Sequence, residues 1–247
     1  MDTLNEKNKK LIKLGIAVAL FILIIATITI LILRYNTEGE KNLPFKITSI
    51  RVISTAQGNS QGNSPTELNL DIIQKNDFYF YLEKNPNYTK EDSISKITFE
   101  NFNIETPPQI GNVSIYKPSV NTLLYTYTDE NKIENSLSFN GSLSTNIASL
   151  EIGNQGGLIG FSIALNNLGS YTVNDTEITH DGTLLSKLNL NNEDICMTIS
   201  FDIIIETTSN KKFKATLSFD LPTGNIIENG ISVLDKTDLD DIVFKRF

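Results

Sequence analysis

The chain of 247 residues has one cysteine, one histidine and no tryptophan. A single cysteine excludes an internal disulfide framework, so the fold must rest on buried apolar surface. A single histidine removes most catalytic and metal constellations. A Ser-His-Asp triad would have to use His180, and Thr179-His180-Asp181-Gly182 reads as the tip of a turn. A structural zinc site needs four soft ligands, whereas His180 and Cys196 supply two. Gly153-Asn154-Gln155-Gly156-Gly157 is glycine-rich but precedes a strand-like segment, so it reads as a loop or bulge and not as a phosphate cradle. The expectation is a protein that is not an enzyme and carries no cofactor.

Positive charge is also scarce outside the first residues. From Tyr35 onward there are 27 acidic and 16 basic side chains, a balance of −11. That surplus repels phosphate backbones and no basic stripe interrupts it, which argues against nucleic-acid binding. Isoleucine (33) and asparagine (28) are over-used, as the codons of an AT-rich genome would produce, so Asn-rich turns carry little chemical meaning here.

What the sequence does have is an uncharged apolar run from Leu14 to Leu33. As a helix it spans roughly 30 Å, the thickness of a bilayer's hydrocarbon core. Backbone amides inside a bilayer must pair within their own segment, which forces a helix despite the β-branched content. Thr27 and Thr29 can return their hydroxyls to carbonyls one turn back, and Lys13 and Arg34 bracket the run. No small-x-small cleavage site follows the run, so it reads as an uncleaved signal anchor rather than a signal peptide. Lys7, Lys9, Lys10 and Lys13 crowd its N-terminal side, which places the N-terminus in the cytoplasm and the bulk of the chain outside it. Gly15 and Ala19 form a small-x-x-x-small pair that can seat a second helix.

The expected organisation is a cytoplasmic tail (1–13), a transmembrane anchor (14–33), a polar spacer (34–43) and an extracytoplasmic domain (44–247). Period-two alternation dominates that domain. Met197, Ile199, Phe201, Ile203 and Ile205 share one face, and after Thr207-Thr208-Ser209-Asn210 so do Phe213, Ala215, Leu217, Phe219 and Leu221. Two such runs around a short turn predict a long antiparallel hairpin, with Ile195 as its first inward residue. Further strands are expected at 45–55, 67–74, 77–82, 94–104, 113–116, 122–128, 136–143, 148–152, 158–165, 171–179 and 241–244, with helical turns at 129–136 and 183–189. Turns are expected at Asn166-Asn167-Leu168-Gly169 and Leu221-Pro222-Thr223-Gly224. With no helix available for crossovers, the fold class is all-β, an antiparallel β-sandwich behind a single N-terminal transmembrane helix.

Two side-chain groups are candidate sites. Asp235, Asp238, Asp240 and Asp241 read first as a solvated acidic turn, with calcium binding as the alternative. Tyr79 and Tyr81 share a strand face opposite Phe78 and Phe80, and Tyr125 with Tyr127 repeats the spacing, so the four can form a platform for glycans or protein partners. The functional expectation is a membrane-anchored envelope scaffold or recognition module. Its rivals are a calcium- or carbohydrate-binding adhesion domain, and a subunit of a secretion, division or pilus assembly machine.

Overall fold

A computed structural model describes residues 2–60, 68–119, 124–173 and 183–247. The chain opens with α1 (Asp2–Glu38). Within it, Asn8–Glu38 is long and apolar enough to cross a membrane, and its most apolar stretch is not buried against the rest of the chain. Thr27 and Thr29 donate to the Leu23 and Ile25 carbonyls at 2.8 and 2.9 Å, the back-bonding their type allows. The helix runs past Leu33 into the polar residues of the expected spacer and ends at Glu38. An Arg34–Glu38 pair at 2.9 Å supports the last turn, and Gly39 ends it in the left-handed region, donating to the Tyr35 carbonyl at 2.9 Å.

Two sheets follow. The strands are β1 (Phe45–Ser60), β2 (Leu68–Lys84), β3 (Ile94–Thr106), β4 (Asn112–Tyr116), β5 (Ser136–Ser142), β6 (Glu151–Gly153), β7 (Gly156–Val173), β8 (Met197–Thr207), β9 (Lys212–Leu221), β10 (Ile231–Lys236) and β11 (Lys245–Arg246). One sheet is ordered β10-β1-β2-β7-β4 and the other β11-β9-β8-β3-β5-β6. Every paired couple is antiparallel except β5 and β6, which run parallel. The predicted hairpin is β8 and β9, in register from Met197↔Leu221 to Glu206↔Lys212.

The alternation tells each strand which face to bury, and the two inner faces meet in one apolar core. Phe78, Phe80 and Phe161 of the first sheet pack on Phe99, Phe201 and Phe219 of the second. Ring centroids are 4.9 Å apart for Phe80–Phe99, 5.0 Å for Phe161–Phe201 and 5.1 Å for Phe78–Phe219. The fold is all-β and sandwich-like, with one N-terminal apolar helix.

Several local expectations change. The break expected between Gln74 and Asp77 does not exist, and β2 runs through it. Gln74 and Asn76 face inward but are bonded there: Ser54 and Gln74 donate to Asn76 Oδ1 at 2.7 and 2.8 Å, and Thr223 N–H donates to Ser54 Oγ at 2.8 Å. Asn166–Gly169 is likewise no chain reversal. It is a bulge inside β7, with Asn167 at φ +59° and the register against β2 shifting between Ile72 and Gln74. Of the strand expected at 122–128, the described residues 124–128 run as coil. Pairing near the C-terminus falls at Lys245–Arg246 rather than 241–244. The edge strand β10 was not anticipated. Ile195 belongs to a short helix, α2 being Leu184–Lys187 and α3 Asn192–Ile195, with α4 (Ile226–Asn229) preceding β10. An Asn191–Asp194 capping box starts α3. Of the strand expected at 171–179, residues 171–173 end β7; residues 174–179 lie outside the described residues.

Candidate binding surfaces

On β2 the residues between the core positions, Lys75, Asp77, Tyr79 and Tyr81, face outward and are half-buried. The segment Leu124–Thr128 crosses this face as a strap. Gly160 on β7 opens the slot that Tyr125 occupies: a Cβ there would lie 2.9 Å from Tyr125 Oη and would collide with the Phe78 carbonyl. Tyr125 meets Tyr79 with centroids 6.5 Å apart and rings tilted by 58°. Tyr127 packs edge-on against Tyr116 at 5.0 Å and beneath Lys75 Nζ, 4.2 Å from the ring centroid. Its hydroxyl donates to Asp77 Oδ1 at 3.2 Å and lies 3.0 Å from Ser162 Oγ, which donates to the same oxygen at 2.5 Å. The four predicted tyrosines therefore share one face but not one plane. Tyr79 pairs with Tyr125, Tyr127 is tied to a carboxylate, and Tyr81 lies two residues beyond Tyr79 along β2.

Burial governs the electrostatics of this face. It pushes Asp77 above the ordinary carboxylate value, a shift that the Ser162 and Tyr127 hydrogen bonds and the Lys75 charge partly reverse. Burial lowers Lys75. It pushes Tyr79 up to about 12, with the Asp77 charge adding to the shift, and raises Tyr125 and Tyr127 further. All three hydroxyls are neutral at physiological pH. Tyr125 Oη is buried without a hydrogen-bond partner among the described residues. Ser162 is fully buried beneath Tyr127, so its hydroxyl anchors the strap.

On the far side of β4 lies a cleft that sequence reasoning missed. It has a volume of about 470 Å³ and is lined by Phe102 and Ile104 of β3, Val113 and Ile115 of β4, and Ile133, with Asp129, Lys132 and Glu134 at its rim. It exists because the two sheets stop covering each other here. β5 pairs with β3 only over Lys96–Glu100, and among the described residues nothing pairs with β3 beyond that point on the same side. Phe102 reaches into the core, 5.2 Å from Phe161 and 5.8 Å from Phe201, yet is only half-buried, and Ile104 is 37% exposed. The opposite wall is the free edge of β4. Its far end is closed where Ile133 N–H donates to the Ile115 carbonyl at 2.8 Å. Alternation marked Val113 and Ile115 as strand residues, but nothing in it shows that a neighbouring strand ends early.

The predicted carboxylate group is spread among other partners. Asp235 forms a two-pronged pair with Arg51, Asp241 pairs with Lys236, and Asp238 accepts the Asp240 N–H at 3.3 Å. Among the described residues no three His, Cys, Asp or Glu side chains converge as metal ligands. Gly15 and Ala19 are exposed on α1, and beyond the helix's own nearby backbone nothing lies within 4 Å of a Cβ placed at Gly15. Cys196 is exposed, its thiol 3.6 Å from the Glu193 carbonyl. His180 lies outside the described residues. A Gly-x-Ser-x-Gly spacing does occur, from Gly58 to Gly62, but Ser60 sits within β1, paired with Leu70, whereas a nucleophile elbow needs a strand that turns into a helix.

Two buried carboxylates also escaped the sequence. Asp92 accepts from Ser209 Oγ at 2.6 Å and from Lys211 Nζ at 2.9 Å, stapling the loop before β3 to the β8–β9 turn. Asp202 accepts from Asn101 at 2.7 Å, Lys214 at 3.0 Å and Thr216 at 2.5 Å. Burial alone would raise both, but these donors outweigh it and hold both below the ordinary carboxylate value.

No family model, no curated protein and no solved structure matches this chain.

Proposed function

We propose that this chain is a single-pass membrane protein that holds its β-sandwich outside the cytoplasm and works by binding, as a recognition or scaffold module of a bacterial envelope. The observation that carries the reading is the open apolar cleft between β3 and β4, since apolar surface left at a sheet edge is what a partner covers. The exposed apolar length of α1 supports the anchor, and the lysines ahead of it support the orientation. The helix is also tied to the sandwich. Glu40 N–H donates to the Phe244 carbonyl at 2.8 Å, and Arg246 N–H donates to Tyr35 Oη at the same distance.

Protease added to intact spheroplasts tests the orientation. The sandwich is expected to be cut away from α1 while a cytoplasmic marker survives; a protected sandwich would sink the reading. A second reading, a glycan surface at Tyr79, Tyr81 and Tyr125, is favoured by the outward, half-buried placing of Tyr79 and Tyr81 on β2. Calorimetry of the full chain in nanodiscs against envelope glycans tests it, and absence of heat removes it. Running the same titration with calcium tests the Asp235–Asp241 group.

A further inference from the structure

We propose that the cleft between β3 and β4 takes an extended peptide segment of another protein, one that alternates apolar with basic residues and adds as a strand along the free edge of β3. The proposal deepens the binding reading above and rests on it. Three observations define the occupant.

The first is the edge. β3 continues to Thr106, but β5 leaves it at Glu100, so the backbone of residues 101–106 is unpaired on that side among the described residues. Unpaired strand edges are satisfied by another strand, which gives main-chain hydrogen bonds whatever the sequence. The second is the lining. Ile104 pairs with Ile199 across to β8 and so shares the inward face, and with Phe102, Val113, Ile115 and Ile133 it forms an apolar floor. An added strand presents every second side chain to that floor, which sets the period-two apolar pattern. The third is charge. Lys132 at the rim is neutralised by Asp129 at 2.6 Å, whereas Glu134, Glu105 beside Ile104 and Glu130 beside Asp129 have no ion-pair partner among the described residues. The alternate side chains of the occupant that face outward are therefore basic.

The cleft lies away from the joint with α1. Phe45, Phe213 and Phe244 pack together where α1 joins the sandwich, and Ile94 starts β3 at this end, opposite Thr207. Phe102 lies roughly 26 Å further along β3.

The test uses the full chain in phosphatidylcholine nanodiscs and a labelled peptide of about nine residues, alternating lysine with valine and isoleucine, read by fluorescence anisotropy. Saturable binding is expected. Affinity should fall at least about tenfold in Ile104→Asp and in the double variant Glu105→Lys with Glu134→Lys. The double variant changes only exposed positions, so it keeps the test open if Ile104→Asp melts early. A peptide of the same composition with its lysines in one block should not bind. Equal binding of the blocked peptide, or unchanged affinity in the double variant, overturns the proposal, as does absence of binding by the alternating peptide. The spheroplast result does not depend on this titration, so a sandwich that is external but binds no alternating peptide loses the cleft assignment alone.

Discussion

At the scale of single residues, the strongest constraints are three acids that look ordinary in sequence. Asp92 holds Lys211, 119 positions away, together with Ser209, and its side chain is 1% exposed. Removing one partner of such a pair strands the other, so Asp92→Ala should cost about 3 kcal/mol by denaturant titration. The pH dependence follows from the direction of the shift. Asp92 and Asp202 lie below their unfolded value in the fold, so the stability they contribute is present above about pH 4 and is lost as pH falls through their lowered values. Asp77 has the opposite sign. Its folded value is raised, so the fold binds its proton more tightly, and its contribution becomes less favourable as pH rises past the ordinary carboxylate value. Asp77→Asn keeps an acceptor for Ser162 and Tyr127. Its melting temperature should therefore change less than the parent's between about pH 4 and 7. A variant curve parallel to the parent's would remove Asp77 from the account. None of these acids was legible beforehand, because what distinguishes them is a donor brought from a distant strand.

At the scale of elements, alternation located β8 and β9 almost to the residue: β9 buries one face and leaves the other largely wet, while β8, paired on both sides, keeps its main apolar row on one face and also covers Ser200, Asp202 and Ile204 on the other. It failed where polar residues face inward or an extra residue intrudes. The polar residues Gln74 and Asn76 predict a break between two strands, yet Ser54 and Ile163 supply partners that let β2 run on, and Asn166–Gly169, expected to be a turn, is a bulge. The strap over β2 was read as a strand because Tyr125 and Tyr127 alternate, but its side chains are held by Gly160, Asp77 and Ser162 instead of by a ladder. Gly160→Ala places a methyl against the Phe78 carbonyl and the Tyr125 hydroxyl, and should cost about 2 kcal/mol in a thermal melt. Gly15→Ala, with open space around it, should leave that melt unchanged.

At the scale of the whole molecule, the question is how the helix and the sandwich move together. Gly39 has φ +66°, and a Cβ there would collide with the Phe244 carbonyl, the group that accepts Glu40 N–H. Gly39→Ala should therefore free the joint without unfolding the sandwich. Limited proteolysis of the full chain in nanodiscs should then cut between Glu38 and Pro44 several-fold faster, with the sandwich melting temperature little changed. Unchanged cleavage would mean that the Tyr35–Arg246 hydrogen bond alone holds the joint.

The sequence by itself determined the apolar helix, the all-β class and the inward face of most strands, because length, hydropathy and period are local properties of the chain. Tertiary structure decided which acids are buried, which tyrosines touch, and where β5 leaves β3 without a neighbour. Those outcomes depend on strands far apart in sequence meeting in one register, and a pattern confined to each strand does not specify its neighbour.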